Sequence, residues 1–254
     1  MTASAPDPAA LDAVRAHIGT ARRVCVLTGA GMSAESGIAT FRDAATGLWS
    51  KFDPAVLASV EGYCAQPQHV WDWYAERREG MRLALPNAGH LALAAFGHRH
   101  PGVLTVVTQN VDDLHQRAGW PETIRLHGDI LADRWLNPCP RGRACDTATA
   151  VVGRPPRCAE CGNLVRPDVV WFGEMLPERA IDAAERAARR CDLMLVVGTS
   201  GAVWPAAGLA HTARRAGARV AIVNPDDSEI DDAAHWVLRG TAAEVLPPLL
   251  DTRR

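Results

Sequence analysis

Four cysteines crowd one short stretch of the chain: Cys139, Cys145, Cys158 and Cys161. Thiolates are soft ligands, and four of them suit a tetrahedral zinc ion. Cys158 and Cys161 form a C-x-x-C pair; Cys139 and Cys145 are separated by five residues. No histidine or carboxylate joins them at ligand spacing, so a structural zinc is expected rather than a catalytic one. A degenerate module whose first pair no longer binds is the alternative. Cys25 and Cys191 sit in or beside apolar runs and read as buried thiols. An odd total of seven cysteines, four of them clustered, fits a cytosolic metal site and not a secreted disulfide scaffold.

A second chemistry is written in turns that follow apolar runs. Gly29-Ala30-Gly31-Met32-Ser33-Ala34 satisfies G-x-G-x-x-G/A. That pattern sets backbone N–H groups and a helix N-terminus against a pyrophosphate. A dehydrogenase would also need a second strand ending in an acidic residue about 20 residues on. Trp49, Ser50 and Lys51 stand there instead, so a nucleotide site fits and hydride transfer fits badly. Thr108-Gln109-Asn110-Val111-Asp112-Asp113-Leu114-His115 and Leu126-His127-Gly128-Asp129 end two further runs. Asn and Asp at such places can simply cap the next helix. Histidine titrates near neutrality and can take a proton from a sugar hydroxyl. His115 and His90 fall in or near helices and are weaker candidates. Gly198-Thr199-Ser200 and Asn224-Pro225-Asp226 are turns by composition.

These residues must be positioned by strands and helices in alternation. Arg23–Thr28, Val103–Thr108, Thr123–Leu126, Val169–Phe172, Asp192–Val197 and Arg219–Val223 read as strands, mostly apolar runs. Helical patterns occupy Ala9–Thr20, Ala88–Phe96, Pro177–Arg190 and Ala206–Ala216. Alternation implies an α/β fold, a Rossmann-like parallel sheet with helices on both faces. Ala44–Pro86 is too long for one crossover and reads as a helical insertion. Leu131–Arg166 holds the four cysteines and too few apolar residues for a core, so a metal must hold it together. The expected division is 1–43, 87–130 and 167–254 for the nucleotide-binding domain, with 44–86 and 131–166 forming a small helical and zinc domain. The 254 residues carry a formal net charge of −2, which favours neither nucleic acid nor an anionic membrane. Residues 1–12 lack a signal-peptide core, and no apolar run approaches the roughly 20 residues of a membrane span. A cytoplasmic protein is expected; its oligomeric state stays open, with a monomer favoured.

Extended to Arg42, the first turn reads Gly29-Ala30-Gly31-Met32-Ser33-Ala34-Glu35-Ser36-Gly37-Ile38-Ala39-Thr40-Phe41-Arg42. It resembles the sirtuin signature G-A-G-x-S-x-x-S-G-I-x-x-F-R. The Thr108–His115 block resembles the family's T-Q-N-I/V-D-x-L-H, and His127-Gly128 its H-G. The blocks come in family order from Gly29 to Ala242, nearly the whole chain. The resemblance implies an NAD site built from Gly29, Ala30, Gly31, Ser33, Ser36, Gly37, Ile38, Phe41 and Arg42. Arg42 would pair with a phosphate, and Phe41 would cover the reactive sugar carbon and exclude water. It implies that Gln109 contacts the nicotinamide ribose and that Asn110 and Asp112 hold the nicotinamide amide or its ribose. Gly198, Thr199, Ser200, Asn224, Asp226 and, near the C-terminus, Ala242 would meet the adenosine half. His127 would be the catalytic base, with Asn110 and Asp112 completing the catalytic set. The family's structural zinc falls in the cysteine stretch, but its usual first C-x-x-C starts where Trp135 stands here.

Tyr74 and Arg77, three residues apart, share a helix face. They match the Y-x-x-R of class III sirtuins, which reads the carboxylate of malonyl- or succinyl-lysine; a guanidinium fork and a phenol suit that group. Ala58 falls where that class widens the acyl tunnel, and Arg78 reads as a surface charge. The resemblance implies an enzyme that removes succinyl, malonyl and acetyl groups from protein lysines. The peptide would add as a strand between Val170–Glu174 and Gly201–Trp204, with Val170, Phe172, Gly173 and Glu174 against it. The acyl oxygen would attack the ribose carbon as nicotinamide leaves. His127 would then activate a ribose hydroxyl, giving O-acyl-ADP-ribose. Protein ADP-ribosyl transfer and a non-catalytic NAD- or zinc-binding module are the rival readings.

Overall fold

The computed structural model describes residues 7–40, 53–140, 145 and 151–251. Its centre is a six-stranded, wholly parallel sheet. The strands are β1 (Arg23–Thr28), β2 (Val103–Thr108), β3 (Thr123–Arg125), β8 (Leu193–Val197), β9 (Arg219–Val223) and β10 (Trp236–Leu238). The spatial order is β10-β9-β8-β1-β2-β3. Chain order therefore reverses between β1 and β8, and the loops after these two strands diverge to leave a crevice. The apolar runs become strands because both faces are covered. Five of the six residues of β1 and all five of β8 are buried.

One face packs on α1 (Pro8–Thr20), α5 (Ala88–Arg99) and α9 (Ala242–Leu250), through Ile18, Phe96 and Leu246 among others. The other packs on α7 (Glu178–Arg190) and α8 (Gly208–Arg215), where Ala184, Ala188 and Ala210 allow close approach. Local signals set the ends. Asp7 caps α1 with Pro8 at its first position, and Thr241 with Glu244 forms a capping box on α9.

Two short sheets and three helices lie apart from this frame. α2 (Pro54–Leu57), α3 (Val60–Ala65) and α4 (Pro67–Leu83) fill the expected helical insertion. β4 (Gly128–Trp135) pairs antiparallel with β7 (Val165–Val169), and β5 (Val151–Val152) with β6 (Arg157–Cys158). A third core joins the helices to β4 and β7 through Tyr63, Trp73, Tyr74, Ile130 and Trp171.

Three expectations need correction, and one strand was not expected. The Val169–Phe172 run is not a strand of the parallel sheet; only Val169 lies in a strand, at the end of antiparallel β7, and Pro167 within β7 suits a short edge ladder. β10 is an added edge strand of three residues, too short to carry a periodic signal. The glycine turn leads into two 3₁₀ turns, Ala30–Met32 and Ala34–Ser36, and not an α-helix. Arg78 is not a surface charge: it is buried, bonding the carbonyls of Ile130 and Ala132 and the Asp133 carboxylate (2.6 Å). It ties α4 to β4. Among the described residues, no helix is long and apolar enough to cross a membrane.

Candidate active site

The first glycine turn is built by close packing. The Gly29 N–H donates to the Val197 carbonyl at 2.9 Å, and Gly31 N–H to the Gly198 carbonyl at 2.8 Å. A Cβ on Gly29 would stand 2.7 Å from the Gly198 oxygen, and one on Gly31 2.7 Å from its Cα. Gly198 itself has φ +63°, with Met32 N 2.3 Å from where its Cβ would lie. The glycines thus lock the turn after β1 to the turn after β8. Their two N–H groups serve that lock and not a phosphate, contrary to the simple reading of the motif.

The crevice continues as a cavity of about 820 Å³. Gly29, Ala30 and Gly31 line one wall, with Gly198, Thr199 and Ser200 beside them and Asn224 and Asp226 beyond. Gln109, Asn110 and His127 line the same cavity. Ala58, Tyr74 and Arg77 line it too, as do Val170, Phe172, Gly173 and Glu174, and the Phe172 N–H is bonded to the Ala58 carbonyl. Ser33 and Asp112 lie behind the wall, and Ser36, Gly37 and Ile38 follow in the same turn. Ala242 is buried at the start of α9, and Thr241 faces the cavity there. Phe41 and Arg42 lie outside the described residues.

His127 stands where β3 passes into β4. The Leu126 N–H is bonded to the Thr108 carbonyl, and the His127 carbonyl accepts from Val170 N–H at 2.9 Å. Gly128 follows with φ +87°, and a Cβ there would meet the Asp168 carbonyl oxygen at 2.0 Å. Only glycine lets the chain turn at this point. The His127 Nδ1 lies 2.8 Å from the Gln109 carbonyl oxygen. A carbonyl can only accept, so Nδ1 carries the hydrogen and neutral His127 has its lone pair on Nε2. Burial lowers its pKa, opposed by the Gln109 bond, so the neutral form dominates at pH 7.

Behind it runs a polar relay. Asn110 Nδ2 donates to Ser33 Oγ at 3.1 Å, and Ser33 Oγ donates to Asp112 Oδ2 at 2.9 Å. The other Asp112 oxygen accepts from Leu114 N–H at the start of α6 (Leu114–Arg117). Asp112 is therefore both a helix-end acceptor and the anchor that turns Asn110 toward the cavity. Burial raises its pKa, countered by those two bonds. The Asn110 N–H is held by Thr108 Oγ1, which accepts from Thr28, whose oxygen lies 3.0 Å from His115 Nε2. His115 and His90 are buried and meet edge to face with ring centroids 5.0 Å apart; neither lines the cavity.

Of the two helix residues that line the cavity, Tyr74 is buried and Arg77 half-buried. The Arg77 guanidinium lies 4.6 Å from the Trp73 ring centroid and 5.7 Å from that of Tyr74. Burial lowers the Arg77 pKa and raises that of Tyr74, leaving a cation and a neutral phenol at pH 7. Glu174 differs from expectation in detail. Its carboxylate turns inward, paired with Arg166 at 2.6 and 2.9 Å and accepting from Trp171 N–H at 2.8 Å. The N–H groups of Val170 and Phe172 are bonded to the His127 and Ala58 carbonyls. Trp171, Val203 and Trp204, inside the two segments expected to flank the peptide, also line the cavity, as does Thr241.

The cysteine sulfurs of Cys139, Cys145 and Cys161 lie within 4.8 Å of one another. Cys158, 2% exposed, hydrogen-bonds with Cys145 and Cys161. The four thiols thus converge, and their chemistry suits one structural zinc. Thiol crowding, with Cys139 first, pushes Cys145 up to about 12; a zinc ion would reverse that preference by binding thiolates. The Trp135 indole N–H donates to the Cys145 carbonyl at 2.5 Å. The residue at the family's usual ligand position therefore buttresses the displaced cysteine.

Comparison with known proteins agrees with this geometry. The Sir2 family pattern matches residues 29–205. The NAD-dependent protein deacylase of Ralstonia nicotianae is 53% identical over 250 residues, spanning 98% of this chain and all of the relative. A solved Sir2 homologue–NAD complex is 40% identical with a TM-score of 0.81, covering 94% of this chain and 92% of the other. A mutant Sir2 homologue bound to ADP-ribose is 39% identical with a TM-score of 0.83, covering 97% and 96%. The chain belongs to the Sir2 family, the sirtuins.

Proposed function

We propose that the protein is an NAD-dependent protein-lysine deacylase that takes acidic acyl groups, succinyl and malonyl, as well as acetyl. The carrying observation is that the glycine turns, Asn110 and His127, and Tyr74 and Arg77 line one and the same cavity. An acyl-lysine entering from the Tyr74 end meets a dinucleotide lying along the glycine turns at His127. The relatives matched over nearly their full length bear the name NAD-dependent protein deacylase.

Bound NAD supplies a ribose carbon open to attack by the acyl oxygen, with nicotinamide as the leaving group. Asn110, held by Ser33 and Asp112, orients the nicotinamide end, and Gln109 faces the ribose. Gly198, Thr199, Ser200, Asn224 and Asp226 receive the adenosine half. Arg42 and Phe41 take the phosphates and cover the ribose. His127 Nε2 accepts the proton of a ribose hydroxyl, and the Gln109 carbonyl steadies the imidazolium so formed. Tyr74 and Arg77 grip the far carboxylate of the acyl chain, with Ala58 leaving room. The peptide backbone lies between Val170–Glu174 and Gly201–Trp204; since the Val170 and Phe172 N–H groups are taken, it pairs with the remaining groups. The zinc keeps the small module folded and takes no part in the chemistry. The domain division set out above, a cytoplasmic location and a monomeric state belong to the same reading.

The test compares kcat/KM on succinyl-, malonyl- and acetyl-lysine forms of one peptide, with Tyr74→Phe and Arg77→Met alongside. Arg77→Met should lower the two acidic activities about 100-fold, the value of a charge-assisted pair, with a much smaller effect on acetyl. Equal losses on all three would refute the pocket assignment.

A further inference from the structure

Trp171 meets Tyr74 in the wall of the cavity. Both side chains are 2% exposed. The Trp171 Nε1–H donates to the Tyr74 hydroxyl oxygen at 2.9 Å. An indole N–H can only donate, so the phenol oxygen is committed as acceptor on this side. Its own hydrogen must go elsewhere, and among the described residues no acceptor takes it up. A buried donor left without a partner is costly, so the site waits for an acceptor. Arg77 comes from the next turn of the same helix and lines the same cavity.

The indole is itself held from two directions. The Arg166 guanidinium, fully buried, lies 3.4 Å from the Trp171 ring centroid. It is fixed there by the Glu174 carboxylate and the Val169 carbonyl. Tyr63 packs against the ring at 5.3 Å. The Trp171 ring cannot swing without losing its contact with this fixed guanidinium and with Tyr63.

We propose that Trp171 is a positioning residue for acidic-acyl selectivity: its indole N–H orients the Tyr74 phenol so that the O–H points into the cavity at a substrate carboxylate. The chain Glu174–Arg166–Trp171 thus sets the direction of a hydrogen bond made by Tyr74. This rests on the acidic-acyl reading above, and the experiment separates the two.

The experiment measures the succinyl-to-acetyl ratio of kcat/KM on one peptide for the wild type, Trp171→Phe, Tyr74→Phe and the double variant. Trp171→Phe should lower the ratio about tenfold, the scale of one oriented hydrogen bond. It should lower it no further when Tyr74 is already Phe, because the two act as one unit. An equal fall in the Tyr74→Phe background would overturn the inference. So would an unchanged ratio in Trp171→Phe while Tyr74→Phe lowers it, and then the acidic-acyl reading would stand alone. An unchanged ratio in Tyr74→Phe would overturn that reading and the inference with it. Should Trp171→Phe fail to fold, benzothienylalanine at position 171 keeps the bicyclic shape and removes only the N–H. The same tenfold fall is expected of it, and an unchanged ratio would overturn the proposal.

Discussion

His127 holds its Nδ1 hydrogen against the Gln109 carbonyl oxygen at 2.8 Å, across the gap between the ends of two neighbouring strands, β2 and β3. The bond selects the tautomer, and β2 and β3 fix the ring's direction. Burial lowers the His127 pKa, so the base is already unprotonated at neutral pH. The acid limb of kcat/KM, which reports the free enzyme, is expected below the ordinary histidine value of about 6.5. Activity falls as pH drops through that lowered value. A pH–rate profile with the limb at or above 6.5 would contradict the assignment.

Gly128→Ala should be among the most damaging small substitutions. The position combines φ +87° with a Cβ site 2.0 Å from the Asp168 carbonyl. Left-handed strain and the clash together should cost about 3 kcal/mol or more. Urea denaturation measures this, and a loss below about 0.5 kcal/mol would show that the turn relaxes freely.

His90 and His115 make stability depend on acid in a stated direction. Burial, with the neighbouring His90 charge next for His115, lowers them to about 4 and about 3. An unfolded chain protonates both near 6.5, whereas the folded one does not. Their contribution is therefore intact above about 6.5 and shrinks as pH falls toward 4. Each should remove about 1.4 kcal/mol per pH unit in that window. Urea midpoints from pH 7 to 4.5 check it. A His90→Gln, His115→Gln variant with the same slope as wild type would contradict it.

The converging thiols predict one zinc per chain by elemental analysis. Cys158→Ser should remove most of the zinc and lower the thermal midpoint, since ligand binding here is folding energy. Cys139→Ser should do the same, because its sulfur belongs to the cluster with Cys145 and Cys161. Full zinc retention in Cys139→Ser would return the first pair to the degenerate reading.

Much of this was legible before any coordinates. Glycines after apolar runs mark strand ends, and parallel sheets gather strand ends at one edge. Gly29, Asn110, His127 and Gly198 meet there for that reason. The C-x-x-C pair and the Tyr74–Arg77 spacing carry their own local geometry. What was hidden is contact between distant segments. Nothing near Tyr74 in the chain announces Trp171, 97 residues on. Arg78 looks like a solvated charge until its acceptors arrive from β4, and no local signal marks the pairing of Arg166 with Glu174 in the turn after β7. The Val169–Phe172 run misled because apolar character does not distinguish a sheet strand from a buried turn.

The central claim is that His127 Nε2 works on the sugar of bound NAD, and the most direct measurement is product analysis of His127→Ala. With NAD and a succinyl-lysine peptide, the wild type should release nicotinamide and form one O-acyl-ADP-ribose per deacylated peptide by mass spectrometry. His127→Ala should lose at least about 100-fold in that product, the scale of a general base, with its fold and zinc content unchanged. Wild-type rates of O-acyl-ADP-ribose formation in His127→Ala would contradict the account.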